Sequence, residues 1–173
     1  LYKRLAETMR GPRRWLLERD WRVLKDYEAS ICEAFDGVVA VSEEDKAALV
    51  EAGAPAGKIT VIPITVDCDQ LTPVTPVPLA NHIVHIGTMY WPPNVDGVVW
   101  FINEVFPLIR SRRPDVIFDV VGARPPDEVR ALGGPGTGVN VTGYVEDTDP
   151  YLRQAGVMVV PLRAGGGMRV KIL

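Results

Sequence analysis

The hydrophobic positions of the first sixty residues predict a long helix followed by a short α/β unit. Residues 13–35 place apolar side chains at helical spacing. The apolar run 38–41 predicts a buried strand, and Ser42 predicts the N-cap of a helix that runs to Gly53. Residues 58–63 predict a second strand. Strands that alternate with helices predict a parallel sheet covered on both faces.

A second alternation of strands and helices follows residue 80. The predicted strands cover residues 82–87, 115–121, 139–142 and 157–160. The first helix of this series is predicted to have Asn94 as its cap and to turn one apolar face inward. That face comprises Val95, Val98, Val99, Ile102, Val105, Phe106 and Ile109. Shorter helices are predicted over residues 127–132 and 149–155.

The strand ends of this second series are expected to meet at one edge of the sheet. Right-handed crossovers place the C-terminal ends of parallel strands together, so Gly87, Gly122, Gly143 and Pro161 converge. Open α/β sheets bind their ligands at this edge. The aromatic, proline-rich loop 90–94 follows Gly87, and it either forms the rim of a ligand pocket or contacts another domain.

Composition narrows the class of protein. Of the 173 residues, 47% are hydrophobic and 24% are charged, which is ordinary for a soluble globular protein. The net charge of −3 argues against a general nucleic-acid binder. Cys32 and Cys68 are isolated and fit a reducing cytosol. Near the start of the chain lies a basic cluster formed by Arg10, Arg13, Arg14, Arg19 and Arg22. We interpret it as the solvated face of a helix, and peripheral contact with acidic lipid stays an alternative.

The end of the sequence predicts an anion-binding loop. The strand 157–160 precedes the glycines Gly165, Gly166 and Gly167, and Met168, Arg169 and Lys171 then open a helix. Glycines let the backbone approach a phosphate, and the first N–H groups of a helix point at it. Arg169 is favoured as the ligand contact, because a guanidinium clamps phosphate oxygens bidentately. Lys171, two residues later, faces elsewhere on the helix.

The spacing of residues elsewhere argues against a second nucleotide-binding loop and against a two-histidine metal site. The glycine-rich segment 134–138 has no Lys-Ser/Thr after it and opens no helix, so it predicts a surface turn and not a nucleotide loop. His82 and His85 lie on opposite faces of their strand, which argues against a metal site made by these two histidines. No Ser/His/Asp or Cys/His grouping stands out, and neither a metal nor another cofactor is predicted.

The order and spacing of nine short segments resemble retaining glycosyltransferases of the GT-B fold, family 4, also called group 1 glycosyl transferases. They are residues 36–42 (DGVVAVS), 58–63 (KITVIP), 66–67 (VD), 86–94 (IGTMYWPPN), 106–107 (FP), 120–122 (VVG), 141–147 (VTGYVED), 159–162 (VVPL) and 165–173 (GGGMRVKIL). Each segment alone is only weakly specific for the family, whereas the combination of segments over about the last 140 residues is fairly specific.

The resemblance implies parts of two Rossmann-like domains with parallel sheets. Residues 1–75 would be the C-terminal part of an acceptor-side domain, 76–80 a linker, and 81–173 the N-terminal half of a donor-binding domain. The full protein would transfer a sugar, as a hexosyltransferase does, from a nucleoside-diphosphate sugar to a saccharide, lipid or small-molecule acceptor without a metal. The donor-binding residues implied are Gly87, Thr88, Gly122, Gly143, Tyr144, Val145, Gly165, Gly166, Gly167, Met168, Arg169 and Lys171.

The sequence departs from the family in two places. Thr88 lies in a loop where many relatives carry cations, and Gly166 stands where many carry a glutamate. A second glutamate would follow Leu173, so the catalytic residues stay unknown and the fragment is expected to be inactive. A nucleotide-sugar epimerase of the same fold and a non-catalytic interaction module are the alternatives. A homodimer or domain swap that pairs free sheet edges also stays open.

Overall fold

The computed structural model describes residues 12–69, 73–78 and 80–163. These residues form two compact units that divide between Asp67 and Cys68. Both units contain parallel sheets with helices packed on them, so the predicted α/β fold class is confirmed. The assignment of residues 1–75 and 81–173 to acceptor-side and donor-side domains stays a prediction.

The first unit is a two-stranded parallel sheet with two helices. Its elements in chain order are α1 (Pro12–Ala34), β1 (Val38–Ala40), α2 (Glu43–Glu51), a 3₁₀ turn (Ala56–Lys58) and β2 (Ile59–Val61). Ser42 caps α2 as predicted, since its side-chain oxygen accepts from the Asp45 backbone N–H at 3.1 Å. The core of this unit is small and consists of Cys32, Ala40, Ala54 and Ile59.

Much of the apolar surface of α1 is uncovered in the structure. Trp15 is 62% exposed, and Val23 and Tyr27 are each 60% exposed. Cys32, by contrast, is buried in the core of the first unit. The helix predicted from apolar spacing is therefore present, but most of the residues that predicted it do not pack into this core.

The second unit is a four-stranded parallel sheet in the order β5-β4-β3-β6. Its elements are β3 (His82–Ile86), α3 (Pro92–Trp100), a π-helical turn (Phe101–Val105), α4 (Phe106–Arg110), β4 (Ile117–Val121), α5 (Asp127–Arg130), β5 (Val139–Gly143), α6 (Asp149–Gln154) and β6 (Ala155–Met158). The chain passes from β3 to β4 and then to β5 on one side of β3, and it then crosses back to form β6 on the other side of β3. The order of strands thus reverses beside β3, which is the switch point where such sheets bind ligands.

Each face of this sheet carries its own core. On one face, Phe118 of β4 lies against the rings of Phe101 and Phe106, with centroids 4.8 and 5.7 Å away. The predicted inward-facing residues of the long helical segment all pack into this core. On the other face, Tyr151 and Leu152 of α6 pack against the strands. These two layers hold the strand ends in place.

Two sequence predictions for the first helix of this unit need correction. The helix begins at Pro92 with Trp91 as N-cap, so Asn94 is not the cap. Prolines fit the first helical positions because their missing N–H needs no partner there. The helix is also interrupted by the π-helical turn, since Pro107 cannot donate to a carbonyl in the preceding turn.

The last strand also differs from its prediction. β6 runs from Ala155 to Met158, two residues earlier than the predicted 157–160. Ala155 and Gly156 carry little apolar surface, so the hydrophobic pattern does not mark them as strand. Gly156 lies close to the segment that precedes β3, because a Cβ there would lie 2.9 Å from the Ala80 carbonyl oxygen.

Candidate functional site

Backbone hydrogen bonds join the ends of β3, β4 and β5. The Gly87 N–H donates to the Val121 carbonyl at 3.0 Å, and the Gly122 N–H donates to the Gly143 carbonyl at 3.0 Å. The Met89 N–H then donates to Ala123 at 2.9 Å, beyond the last paired residues. Three of the predicted site glycines therefore meet at one edge of the sheet, and their proposed contact with a donor stays a prediction.

Gly122 and Gly87 approach each other as only glycine allows. A Cβ on Gly122 would lie 1.7 Å from the Gly87 carbonyl oxygen, well inside van der Waals contact. The close approach brings the loops after β3 and β4 together. A ligand at this edge would therefore meet both loops at once.

The end of β5 presents a different surface. Gly143 has φ +79° and turns the chain at the strand end. Tyr144 is 77% exposed, whereas Val145 packs against the core on the α6 side of the sheet. Of these two predicted donor contacts, Tyr144 therefore offers a free side chain and Val145 offers chiefly its backbone.

The segment after β6 is seated on α3. A Cβ on Gly97 would lie 2.0 Å from the Pro161 carbonyl oxygen, and a guanidinium nitrogen of Arg163 is 3.4 Å from an Asp96 carboxylate oxygen. Pro161 thus lies beside the helix that follows β3. The remaining predicted contacts, Gly165, Gly166, Gly167, Met168, Arg169 and Lys171, lie outside the described residues.

Thr88 contributes its backbone to the local structure. Its carbonyl oxygen accepts a hydrogen bond from the Asn94 side-chain amide at 2.9 Å. Asn94 is buried, so this bond ties the loop after β3 to the first turn of α3. The Thr88 residue itself is exposed at the sheet edge.

Arg124, two residues after Gly122, is a candidate site residue that the sequence pattern does not reveal. Its backbone has φ +56°, a conformation that is rare for residues other than glycine. Its guanidinium carbon lies 5.6 Å from the centre of the Tyr90 ring. The signal in the sequence is slight: an arginine two residues after a strand-end glycine.

An open cleft of about 510 Å³ adjoins Tyr90 and Arg124. Met89, Val95 and Val99 supply apolar surface, and Asp96 and Glu128 supply carboxylates. The wall is completed by Pro92 and Pro126. The cleft combines an apolar floor with charges of both signs, and it lies within the second unit.

Polar groups farther from the strand ends have structural partners. His82 Nδ1 lies 2.5 Å from Asp119 Oδ2, and the Asn140 amide donates to Asp119 Oδ1 at 2.9 Å. His85, on the other face, has Nδ1 3.1 Å from the Val159 carbonyl oxygen. No group of three His, Cys, Asp or Glu side chains in the described part of the chain is arranged to hold a metal ion.

Arg113 and Asp115 form an exposed ion pair in the turn before β4. A hydrogen bond from the Arg113 side chain lowers the pKa of Asp115, and the same bond raises the pKa of Arg113. This turn lies at the opposite end of β4 from Gly122. The shifts therefore do not mark the candidate site.

Comparison with known families identifies the chain. The sequence profile of the family described as Glycosyl transferases group 1 matches residues 80–173, which is more than half of the chain. The chain belongs to the group 1 glycosyl transferases. A second profile, Glycosyltransferase Family 4, matches residues 5–70 of this group 1 glycosyl transferase. No curated protein matches the chain.

Solved structures show the same fold at low identity. The Anabaena protein Alr3699/HepE in complex with UDP and glucose is 13% identical with TM-score 0.56, and the match covers 79% of this chain and 41% of that one. A Rickettsia africae ESF-5 glycosyltransferase is 20% identical with TM-score 0.52, over 91% and 54%. TarM is 15% identical with TM-score 0.55, over 78% and 26%.

This group 1 glycosyl transferase chain therefore spans between about a quarter and about half the length of these structures. Among its described residues, no helix has the length and hydropathy needed to cross a membrane.

Proposed function

We propose that this chain is part of an enzyme that transfers a sugar from a nucleoside-diphosphate sugar to an acceptor, with retention at the anomeric carbon. The observation that carries the proposal is the meeting of Gly87, Gly122 and Gly143 at the carboxyl edge of the second sheet. In a group 1 glycosyl transferase, this edge is the natural place for a nucleotide.

In this proposal, different segments of the chain contact the phosphates, the base and the sugar of the donor. The loop at Gly87 and Thr88 lies beside the phosphates, and the segment from Gly143 to Val145 borders the base. Gly165–Gly167 and the cations after them hold the diphosphate and the sugar. Helix N–H groups and cations offset the charge of the leaving diphosphate, so no metal is required.

The solved neighbours favour a uridine nucleotide as the first donor to test. Structures of Alr3699/HepE hold UDP with glucose, UDP alone and UDP-glucose. For our chain we propose UDP as the first base and leave the sugar to experiment. The acceptor is a saccharide, a lipid or a small molecule, and we propose a cytoplasmic location.

We also propose that the 173-residue chain is inactive by itself. It spans 41% of the Alr3699/HepE chain that it matches, so groups supplied by the rest of a longer protein would be absent. Nucleotide binding and sugar transfer should then separate: the chain binds the leaving nucleotide without turning over the donor.

Isothermal titration calorimetry of the chain with UDP, GDP and ADP tests this function. We expect one of the three to bind, and we expect its nucleoside to bind more weakly because the diphosphate carries the charge. If none of the three nucleotides binds, the transferase proposal fails and the non-catalytic module gains support. NMR analysis of UDP-glucose after incubation with a longer protein that contains this chain checks for epimerised sugar, which would support the epimerase.

A further inference from the structure

Arg124 is held in a strained backbone conformation. Within the described residues it is the one residue other than glycine with positive φ, at +56°. This conformation is unfavourable for a residue other than glycine, and such strain collects at ligand-binding sites. Its neighbours are fixed, since Ala123 accepts from the Met89 N–H at 2.9 Å and Pro125 accepts from Arg130 at 3.0 Å.

The guanidinium of Arg124 is positioned at the surface. It lies 5.6 Å from the centre of the Tyr90 ring, and Tyr90 is 61% exposed. In the described part of the chain, no carboxylate lies within ion-pair distance of Arg124. Its positive charge is therefore available to a ligand, and the ring restricts the orientation of the side chain.

Among the residues that the structure describes, few cations lie near this edge. The loop after β3 carries Thr88 and Tyr90 but no cation, and Arg163 after β6 faces Asp96 at 3.4 Å. Arg124 reaches the same loop from the next strand, through the bond that joins Met89 to Ala123. It thereby brings to the loop after β3 a charge that the loop itself lacks.

We infer that Arg124 binds phosphate oxygens of the nucleoside diphosphate at the carboxyl edge of the sheet. The inference rests on the proposed function and deepens it, because it assigns a phosphate contact to a residue outside the glycine-rich loop. A guanidinium suits this role because it donates to two oxygens at once. Asp96 and Glu128 line the adjoining cleft and would repel an anion, so the phosphate lies beside Gly87 and Gly122 and not inside the cleft.

The test compares two arginine variants by calorimetry with UDP and with uridine. Arg124→Asn removes the guanidinium while keeping a residue that tolerates positive φ. Arg112→Asn is the matched control, because Arg112 is exposed in the turn that precedes β4, at the other end of that strand. We expect Arg124→Asn to weaken UDP binding about tenfold or more, Arg112→Asn to leave it unchanged, and neither to alter uridine binding.

The other outcomes overturn either the inference about Arg124 alone or that inference together with the proposed function. Unchanged UDP affinity in Arg124→Asn overturns the inference and leaves the proposed function standing. Equal losses of affinity for UDP and for uridine also overturn the inference, because Arg124 would then stabilise the whole site and not contact the phosphates specifically. Failure of the unchanged protein to bind any nucleotide overturns both. Arg124→Gly, which adopts positive φ without strain, replaces Arg124→Asn if that variant lacks the native circular dichroism spectrum.

Discussion

Gly122 lies directly against the Gly87 carbonyl oxygen, and this contact limits the side chains that the sheet edge accepts. Any Cβ at residue 122 would fall 1.7 Å from that oxygen. We expect Gly122→Ala to lower the free energy of unfolding by about 2–3 kcal/mol, because the two strand ends must separate. Urea denaturation followed by far-UV circular dichroism measures the change.

Gly57→Ala is the control for this substitution. Its Cβ would meet no atom within 4 Å, and its φ is not positive. We expect it to leave the free energy of unfolding within about 1 kcal/mol of the original value, with a slight gain. Similar losses in both variants would show that the contact with Gly87 is not the cause.

Residues at the site differ in how far sequence alone identifies them. Gly87 and Gly122 are predictable because glycine at a strand end is itself a signal. Arg124 is not, because its role depends on a strained φ and on a ring 34 positions earlier in the chain. For Val145, the sequence predicts a donor contact but does not reveal that the side chain packs against the core.

Among the elements, β3, β4 and β5 are tied by side chains as well as by backbone. Asp119 of β4 is 2% exposed and contacts His82 of β3 and Asn140 of β5. We expect Asp119→Leu to lower the free energy of unfolding by about 2 kcal/mol, because both partners lose their acceptor. Chemical denaturation followed by circular dichroism measures the loss.

Asp115→Leu is the matched control. Its pair with Arg113 contributes above the ordinary carboxyl pKa and is lost as pH falls through the lowered pKa of Asp115. Because this pair is exposed to solvent, we expect no measurable change in stability at neutral pH. An equal loss in both variants would mean that burial of Asp119 contributes nothing.

Long, periodic elements were predictable from the sequence and short or irregular ones were not. The inward face of the helix that contains Val98 and Phe106 follows directly from apolar spacing. The start of β6 was missed because Ala155 and Gly156 give no hydrophobic signal, and Asn94 was misassigned because it suits a cap. Pairing and capping depend on neighbours that spacing along one chain does not reveal.

At the scale of the whole molecule, exposed apolar side chains on α1 favour self-association. Val23 and Tyr27 are each 60% exposed on this helix. We expect light scattering at increasing concentration to give a mean mass above the 19.0 kDa of one chain. The double variant Val23→Ser/Tyr27→Ser should lower that mass, and a 19.0 kDa species at every concentration would contradict the expectation.

The π-helical turn at Phe101–Val105 has a consequence for how the length of this protein can vary. Such a turn holds one residue more than an α-helical path, and here it precedes Pro107. Deleting one residue would restore regular α-helical winding, and the ring of Pro107 would then meet a carbonyl of the preceding turn for which it has no N–H to donate. The extra residue and the proline are therefore a linked pair, and in related sequences we expect them to be gained or lost together.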